Sequence, residues 1–150
     1  MPFPPQGGAL QRSYHLVRYL AGRHPVHLLA LNQRNLLGTR AAIEEARQAL
    51  VALGITLEIF DIPADRSRLA WTIMAARGLV SRDAFDVRWL RSGPYAQRAT
   101  KLLSEAPFDL VHVDTLGLIP ALDGAAGRPF ARPSVCGGVI RWRKDERGWT

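Results

Sequence analysis

The 150-residue chain has a single cysteine, Cys136, and this excludes an intrachain disulfide and any metal site built from several cysteines. No run of about eighteen apolar residues, which a transmembrane helix requires, occurs in the sequence. The basic-then-apolar pattern of a secretory signal peptide is also missing from the N-terminus. These absences predict a cytoplasmic protein, and a hydrophobic fraction of 47% is enough to build a domain core.

Lysine is also scarce, since Lys101 and Lys144 are the only two in the sequence. Arginine therefore supplies nearly all the positive charge. With 20 Lys and Arg against 13 Asp and Glu, the net charge is +7. We favour a basic surface without a specific partner; the functional alternatives are an anionic ligand, an anionic membrane surface and nucleic acid. No basic run is interleaved with aromatic residues as in a nucleic-acid stacking platform. We therefore expect no nucleic-acid partner.

Several catalytic motifs are missing as well. No serine stands in a nucleophile-elbow pattern, and there is no Gly-x-x-x-x-Gly-Lys phosphate loop. The four histidines, His15, His24, His27 and His112, lack the mutual spacing of metal ligands. We therefore predict no metal site, and we expect His27 and His112 to be hydrogen-bonded residues within strands.

Helical and strand-like segments alternate along the chain. Periodicity predicts helices over residues 9–22, 38–53, 93–107 and 115–122, a loosely helical stretch over 63–82, and strands over 25–32, 55–62, 108–115 and 132–140. The segment "FDVRWL" is interpreted as a short extended piece. This alternation predicts an α/β fold with a mostly parallel sheet and helices on both faces.

In such sheets ligands bind outside the carboxyl ends of the strands, and two loops have that position. In the first, "MPFPPQGG", Gly7 and Gly8 precede a helix whose free N–H groups attract phosphate, and Arg12 lies one turn further. In the second, Asp114 and Thr115 end a strand, where Asp114 would accept a hydrogen bond from a hydroxyl-bearing ligand. The structural alternatives are a plain turn with a solvated arginine, and a helix N-cap.

Taken together, these segments resemble a known family. The stretch "PFPPQGGALQRSYHLVRYLAGRHPVHLLAL" is similar to the start of family 4 glycosyltransferases of the GT-B architecture, especially those of bacterial exopolysaccharide and cell-surface sugar synthesis. The matching positions are Pro2, Pro4, Pro5, Gly7, Gly8, Arg12, Tyr14, His15, Leu16, Leu20, Ala21, His24 and Val26. A later stretch, "PFDLVHVDTLGLIPAL", resembles the family's strand and helix at Phe108, Asp109, His112, Asp114 and Thr115.

The resemblance implies a Rossmann-like, doubly wound sheet and transfer of a sugar from a nucleotide-sugar donor to a glycan or lipid-linked acceptor, with no cofactor. It favours phosphate binding by Gly7, Gly8 and Arg12, and it adds peripheral association with the inner face of a membrane. The predicted substrate- or phosphate-binding residues are therefore these three together with Asp114 and Thr115 at the end of their strand. The catalytic residues remain unassigned. The alternative function is a non-enzymatic basic α/β module that binds an anionic partner.

The sequence also departs from the family. A first, central strand is missing before the proline loop, so we expect the strands on either side of its place to be unpaired. The donor-binding domain is missing too, and we expect the chain to be inactive alone. Residues 1–135 are therefore predicted to be a partial N-terminal, acceptor-side domain, followed by an atypical tail over 136–150.

Overall fold

The computed structural model describes residues 1–34, 36–78, 85–105, 108–125, 135–136 and 139–142. These described residues form five α-helices: α1 (Gly7–Ala21), α2 (Arg40–Val51), α3 (Arg68–Gly78), α4 (Phe85–Trp89) and α5 (Gly93–Glu105). Two 3-10 segments, Pro63–Asp65 and Leu116–Ala125, follow the second and third strands. Among the described residues, no helix has the length and apolar character needed to cross a bilayer.

The strands form one mixed sheet. They are β1 (His27–Asn32), β2 (Thr56–Asp61), β3 (Leu110–Asp114), β4 (Val135–Cys136) and β5 (Val139–Trp142), in the spatial order β2-β1-β5-β3-β4. β1 and β2 pair in parallel, as do β3 and β4. The mixed α/β character that the sequence predicts is therefore confirmed.

β5 occupies the middle of the sheet and runs antiparallel to both neighbours. Its residue Ile140 lies opposite Leu28 of β1 and opposite His112 of β3. The expectation that the strands on either side of the predicted gap would be unpaired is wrong at these positions, because β5 pairs with both β1 and β3. β5 belongs to the stretch 136–150 that the sequence suggested was an atypical tail; residues 137–138 and 143–150 lie outside the described part.

Helices cover both faces of the sheet. The side chains of β1 alternate between the two faces and pack against helices on each. On one face Leu28 and Ala30 join Val17 and Leu20 of α1 and Leu50 of α2. On the other face Leu29 and Leu31 join a larger cluster that includes α5 and the region around α4. Its buried members are Leu29, Leu31, Ile62, Ala64, Leu90, Tyr95, Ala99, Leu103, Val111, Val113 and Leu118.

Local sequence signals explain the two ends of helix α2. The Thr39 hydroxyl accepts a hydrogen bond from the Ala42 amide at 3.2 Å and caps α2. Gly54 adopts a φ of +80° just after that helix, a conformation that favours glycine.

One prediction fails: the segment "FDVRWL" is not extended, because Phe85–Trp89 is helix α4. Its Trp89 indole donates to the Asp65 carboxylate at 2.8 Å, a tertiary contact that local pattern does not reveal.

Candidate functional site

A pocket of about 230 Å³ lies at the carboxyl ends of β1 and β3, beside helix α1. Three of the five predicted site residues, Arg12, Asp114 and Thr115, line it. Apolar side chains of β1, including Leu29 and Leu31, form part of its wall. The structure therefore brings together residues that are about 100 positions apart in the sequence.

Asp114 is a largely buried charged group that lines the pocket. It is the last residue of β3, and its side chain is only 8% exposed. The Ser13 hydroxyl of α1 hydrogen-bonds to its Oδ2 atom. Among the residues that the structure describes, the other oxygen, Oδ1, is buried without a hydrogen-bond donor, and the nearest cation is Arg12, with Nη2 at 3.9 Å. A buried carboxylate oxygen without a donor is costly, so this atom has unused capacity to accept a hydrogen bond.

Ser13 is a site residue that the sequence reasoning missed. It lies on the buried stripe of α1 with Val17 and Leu20, and its hydroxyl is 2.9 Å from the Ala9 carbonyl as well as near Asp114. The single hydroxyl proton is donated to one of these two oxygens at a time. The signal in the sequence was a serine at a core position of an amphipathic helix, because a buried hydroxyl group needs a polar partner.

Arg12 precedes Ser13 and points towards solvent. Its side chain is 63% exposed, so a separation of 3.9 Å from Asp114 makes a weak, screened ion pair. Because this guanidinium is largely free of other partners in the described residues, it is available to an anionic group entering the mouth of the pocket.

Gly7 and Gly8 form the first turn of α1 and are exposed, but neither lines the pocket. Gly7 has a φ of +73°, which a side chain would strain, while the space around both glycines is open. Gln6 at the N-cap makes no side-chain capping bond, so the first N–H groups of the helix have no side-chain acceptor there. The glycines thus form a helix N-terminus without a side-chain cap, one turn away from Arg12.

Met1 and Thr115 also line the pocket, and the amino group of Met1 and the backbone of Thr115 each form a hydrogen bond there. The Met1 amine donates to the Leu31 carbonyl at 2.8 Å, and burial lowers its pKa to about 6, an effect that the charge of Asp114 opposes. Thr115 is half-buried, and its carbonyl accepts from the Leu118 amide at 3.0 Å as the 3-10 helix begins.

A second polar cluster lies on β1, β2 and α5, around Glu58. Arg98 donates from Nε and Nη2 to both Glu58 oxygens at 2.7–3.0 Å, and His27 Nε2 is 2.8 Å from Oε1. The Arg98 hydrogen bonds lower the pKa of Glu58; partial burial opposes them, and His27 adds to the lowering. The expectation that His27 is a hydrogen-bonded strand residue is confirmed, and its cluster ties α5 to the sheet.

Comparison with protein-family models, with curated proteins and with solved structures finds no match to this chain. The residues that the structure describes contain no group of three or more His, Cys, Asp or Glu side chains that could hold a metal ion. A buried hydrogen-bond acceptor stands beside an exposed guanidinium, which suits a neutral hydroxylated group with an anionic neighbour.

Proposed function

We propose that the chain is the acceptor-side domain of a family 4 glycosyltransferase and that the Asp114 pocket binds a sugar hydroxyl. In this proposal its sheet is a Rossmann-like, doubly wound one. The parent reaction transfers a sugar from a nucleotide-sugar donor to a glycan or lipid-linked acceptor. The observation that carries the proposal is the buried Oδ1 of Asp114, which has no hydrogen-bond donor in the described residues.

The size of the pocket supports a single sugar ring as its occupant. At about 230 Å³ it is smaller than the roughly 300–1,000 Å³ of pockets that enclose drug-sized ligands. A whole nucleotide sugar would therefore extend beyond it. Apolar walls from β1 would contact the carbon atoms of the ring, while Asp114 would accept from one of its hydroxyls.

The charge distribution suits an anionic group at the mouth of the same pocket. Arg12 is exposed there, and the uncapped start of α1 at Gly7 and Gly8 offers backbone N–H groups. In our proposal these groups interact with the diphosphate of the donor, while Asp114 and Thr115 hold the acceptor. The positively charged groups thus contact the donor, and the groups that accept hydrogen bonds contact the acceptor.

Isothermal titration calorimetry of the 150-residue chain tests this function. The probes are simple methyl pyranosides, a nucleotide diphosphate sugar and inorganic polyphosphate. We expect saturable binding of at least one pyranoside that survives high salt, because hydroxyl recognition is not screened. Polyphosphate binding that disappears with salt, without any pyranoside binding, would instead support the basic module.

A further inference from the structure

Helices α3 and α4 carry a concentration of exposed large apolar side chains. Leu69, Trp71 and Ile73 of α3 and Phe85 of α4 are four of the seven such side chains among the described residues, and together they are called the α3–α4 surface. Leu69 is the most exposed of them, at 69%. Because a surface helix normally turns its apolar residues to the core, this concentration is typical of an interaction surface.

The placement of these side chains on α3 suits packing against another helix. Leu69 and Ile73 are four residues apart, so they lie one above the other on the same face of the helix. Such an i, i+4 pair forms a ridge, and ridges of this kind fit between the side chains of a second helix. Met74 packs against the larger core cluster instead. The helix is therefore held by one face, while an apolar ridge on another face stays in solvent.

Two grooves beside α3 make the α3–α4 surface concave in places. A groove of about 470 Å³ contains Trp71 and Phe85, and a groove of about 380 Å³ has Ile73 on its wall. Side chains that project from a folded partner fill such grooves, whereas a flat and fluid bilayer does not match their shape. None of the residues that line the two grooves lines the Asp114 pocket. The α3–α4 surface is therefore separate from the site of the proposed function.

The charges beside the α3–α4 surface are mainly positive. Arg34 and Arg68 line the first groove and Arg91 lines the second; all three are exposed, and none forms an ion pair within the described residues. Among the described residues that line the grooves, Asp65 is the one acidic side chain, and it already accepts a hydrogen bond from Trp89 at 2.8 Å. The surroundings are therefore complementary to acidic side chains.

A second copy of the chain is a poor match for the α3–α4 surface. In a symmetric dimer both copies contribute the same patch, so the arginines of one copy would face those of the other. Each copy also carries a net charge of +7. Repulsion between like charges therefore opposes self-association through this surface, and a partner with acidic side chains has no such cost.

We infer that the α3–α4 surface binds an acidic amphipathic helix of another polypeptide. The apolar face of that helix covers the ridge of Leu69 and Ile73 and fills the groove at Trp71. Its Asp and Glu side chains lie on either side of the apolar face and form ion pairs with Arg68 and Arg91. Tryptophan and arginine are among the residue types that contribute most to binding at protein interfaces, which agrees with their presence here.

Selection from a displayed library of helical peptides, with the full 150-residue chain as target, tests the inference. Leucine is fixed in the peptides at positions spaced i, i+4 and i+7, and the flanking positions are randomised. We expect the selected peptides to be enriched about threefold or more in Asp and Glu at the flanking positions. Their binding is expected to weaken at high salt.

Variants of the chain show whether a selected peptide binds at the α3–α4 surface. Ile73→Glu is expected to raise the Kd of the peptide about tenfold, because it places a charge on the apolar ridge. Its control is Val51→Glu on α2, since both side chains are 46% exposed, and the control is expected to bind like wild type. Thermal unfolding shows that each variant is folded, and Leu69→Glu serves as a second variant of the ridge.

The arginines are tested at constant net charge. Arg68→Gln with Arg91→Gln is expected to slow association about threefold or more and to reduce its dependence on salt. The control pair, Arg18→Gln with Arg40→Gln, removes the same charge from exposed positions of α1 and α2 and is expected to have a smaller effect.

Four results would overturn the inference. One is a selection that gives no binding peptide or no enrichment in Asp and Glu, and another is an equal loss of affinity in the surface and control variants. The third is self-association in sedimentation velocity that Ile73→Glu abolishes, which would assign the surface to a second copy of the chain. The fourth is binding to phosphatidylglycerol vesicles that Ile73→Glu abolishes while peptide binding is unaffected, which would assign the surface to a bilayer.

Discussion

At the scale of single residues, the Glu58 carboxylate is held by two cationic or ionisable partners, Arg98 of α5 and His27 of β1. Its pKa is lower in the folded chain than its ordinary value of 4.5. Ionised Glu58 therefore stabilises the fold above pH 4.5, and this contribution is lost as the pH falls through the folded pKa.

We predict that Glu58→Gln lowers the free energy of unfolding by about 1–2 kcal/mol at pH 7. The difference from wild type should narrow as the pH is lowered below 4.5, because wild-type Glu58 then becomes protonated too. Urea unfolding at a series of pH values measures this difference in the free energy of unfolding. Glu44→Gln is the control: Glu44 is 52% exposed, with Arg47 at 3.9 Å, and its loss should cost less than about 0.5 kcal/mol. A difference that is independent of pH would contradict this account.

At this scale the sequence could place Asp114 and Arg12 near one edge of the sheet, but it could not identify the partner of Ser13. A carboxylate at the end of an apolar strand and an arginine near a helix start are visible in the pattern. Ser13 gains its role from a hydrogen bond across 101 positions of sequence, which no local pattern encodes. The Oδ1 of Asp114 has no hydrogen-bond donor among the described residues, and this is likewise a property of packing and not of residue type.

At the scale of elements, the start of α1 depends on one backbone conformation. Gly7 has a φ of +73°, whereas Gly8 has no such requirement, and the space around both is open. Sterics around the added Cβ are therefore equal at the two positions. Only the backbone conformation distinguishes them, which makes the pair a matched test.

We predict that Gly7→Ala destabilises the protein by about 1 kcal/mol, because L-residues are strained at positive φ. Gly8→Ala should stabilise it by about 0.5 kcal/mol through the higher helix propensity of alanine. Thermal unfolding of the two variants measures the difference. Changes of the same sign in both variants would show that the left-handed conformation of Gly7 does not set the start of the helix.

Element types follow from periodicity where the segment is long. Helices α1, α2 and α5 and strands β1, β2 and β3 lie within or close to their predicted ranges. The five residues of α4 are too few for such a signal, since Phe85, Val87 and Trp89 also alternate as in a strand. The Trp89–Asp65 hydrogen bond and the buried Leu90 favour the helix, and both are tertiary effects.

At the scale of the whole molecule, β5 joins two halves of the sheet. β1 with β2 and β3 with β4 are parallel pairs, and β5 is the strand that bridges them. The alternation of helices and strands predicts an α/β sheet, but it does not specify a central antiparallel strand. The pairing of β1 with β5 joins residues more than 100 positions apart, so it depends on the assembled sheet.

We predict that the amides of β5 are protected from hydrogen exchange as strongly as those of β1, because both lie inside the sheet. Ile140→Pro should lower the free energy of unfolding by about 3 kcal/mol, since proline removes a ladder hydrogen bond from a central strand. Exchange measured by NMR, together with urea unfolding of the variant, tests this. Unprotected β5 amides and an unchanged stability would show that β5 does not hold the two pairs together.

The central claim is that the Asp114 pocket accepts a sugar hydroxyl. The most direct measurement is the affinity of Asp114→Asn, by calorimetry, for a pyranoside that the wild type binds. We predict a loss of about tenfold or more, because a hydrogen bond to a charged acceptor contributes about 1.5–3 kcal/mol. Asp61→Asn removes an exposed carboxylate at the carboxyl end of β2 and should change the affinity less than about twofold. Wild-type affinity in folded Asp114→Asn, or equal losses in the two variants, would contradict the account.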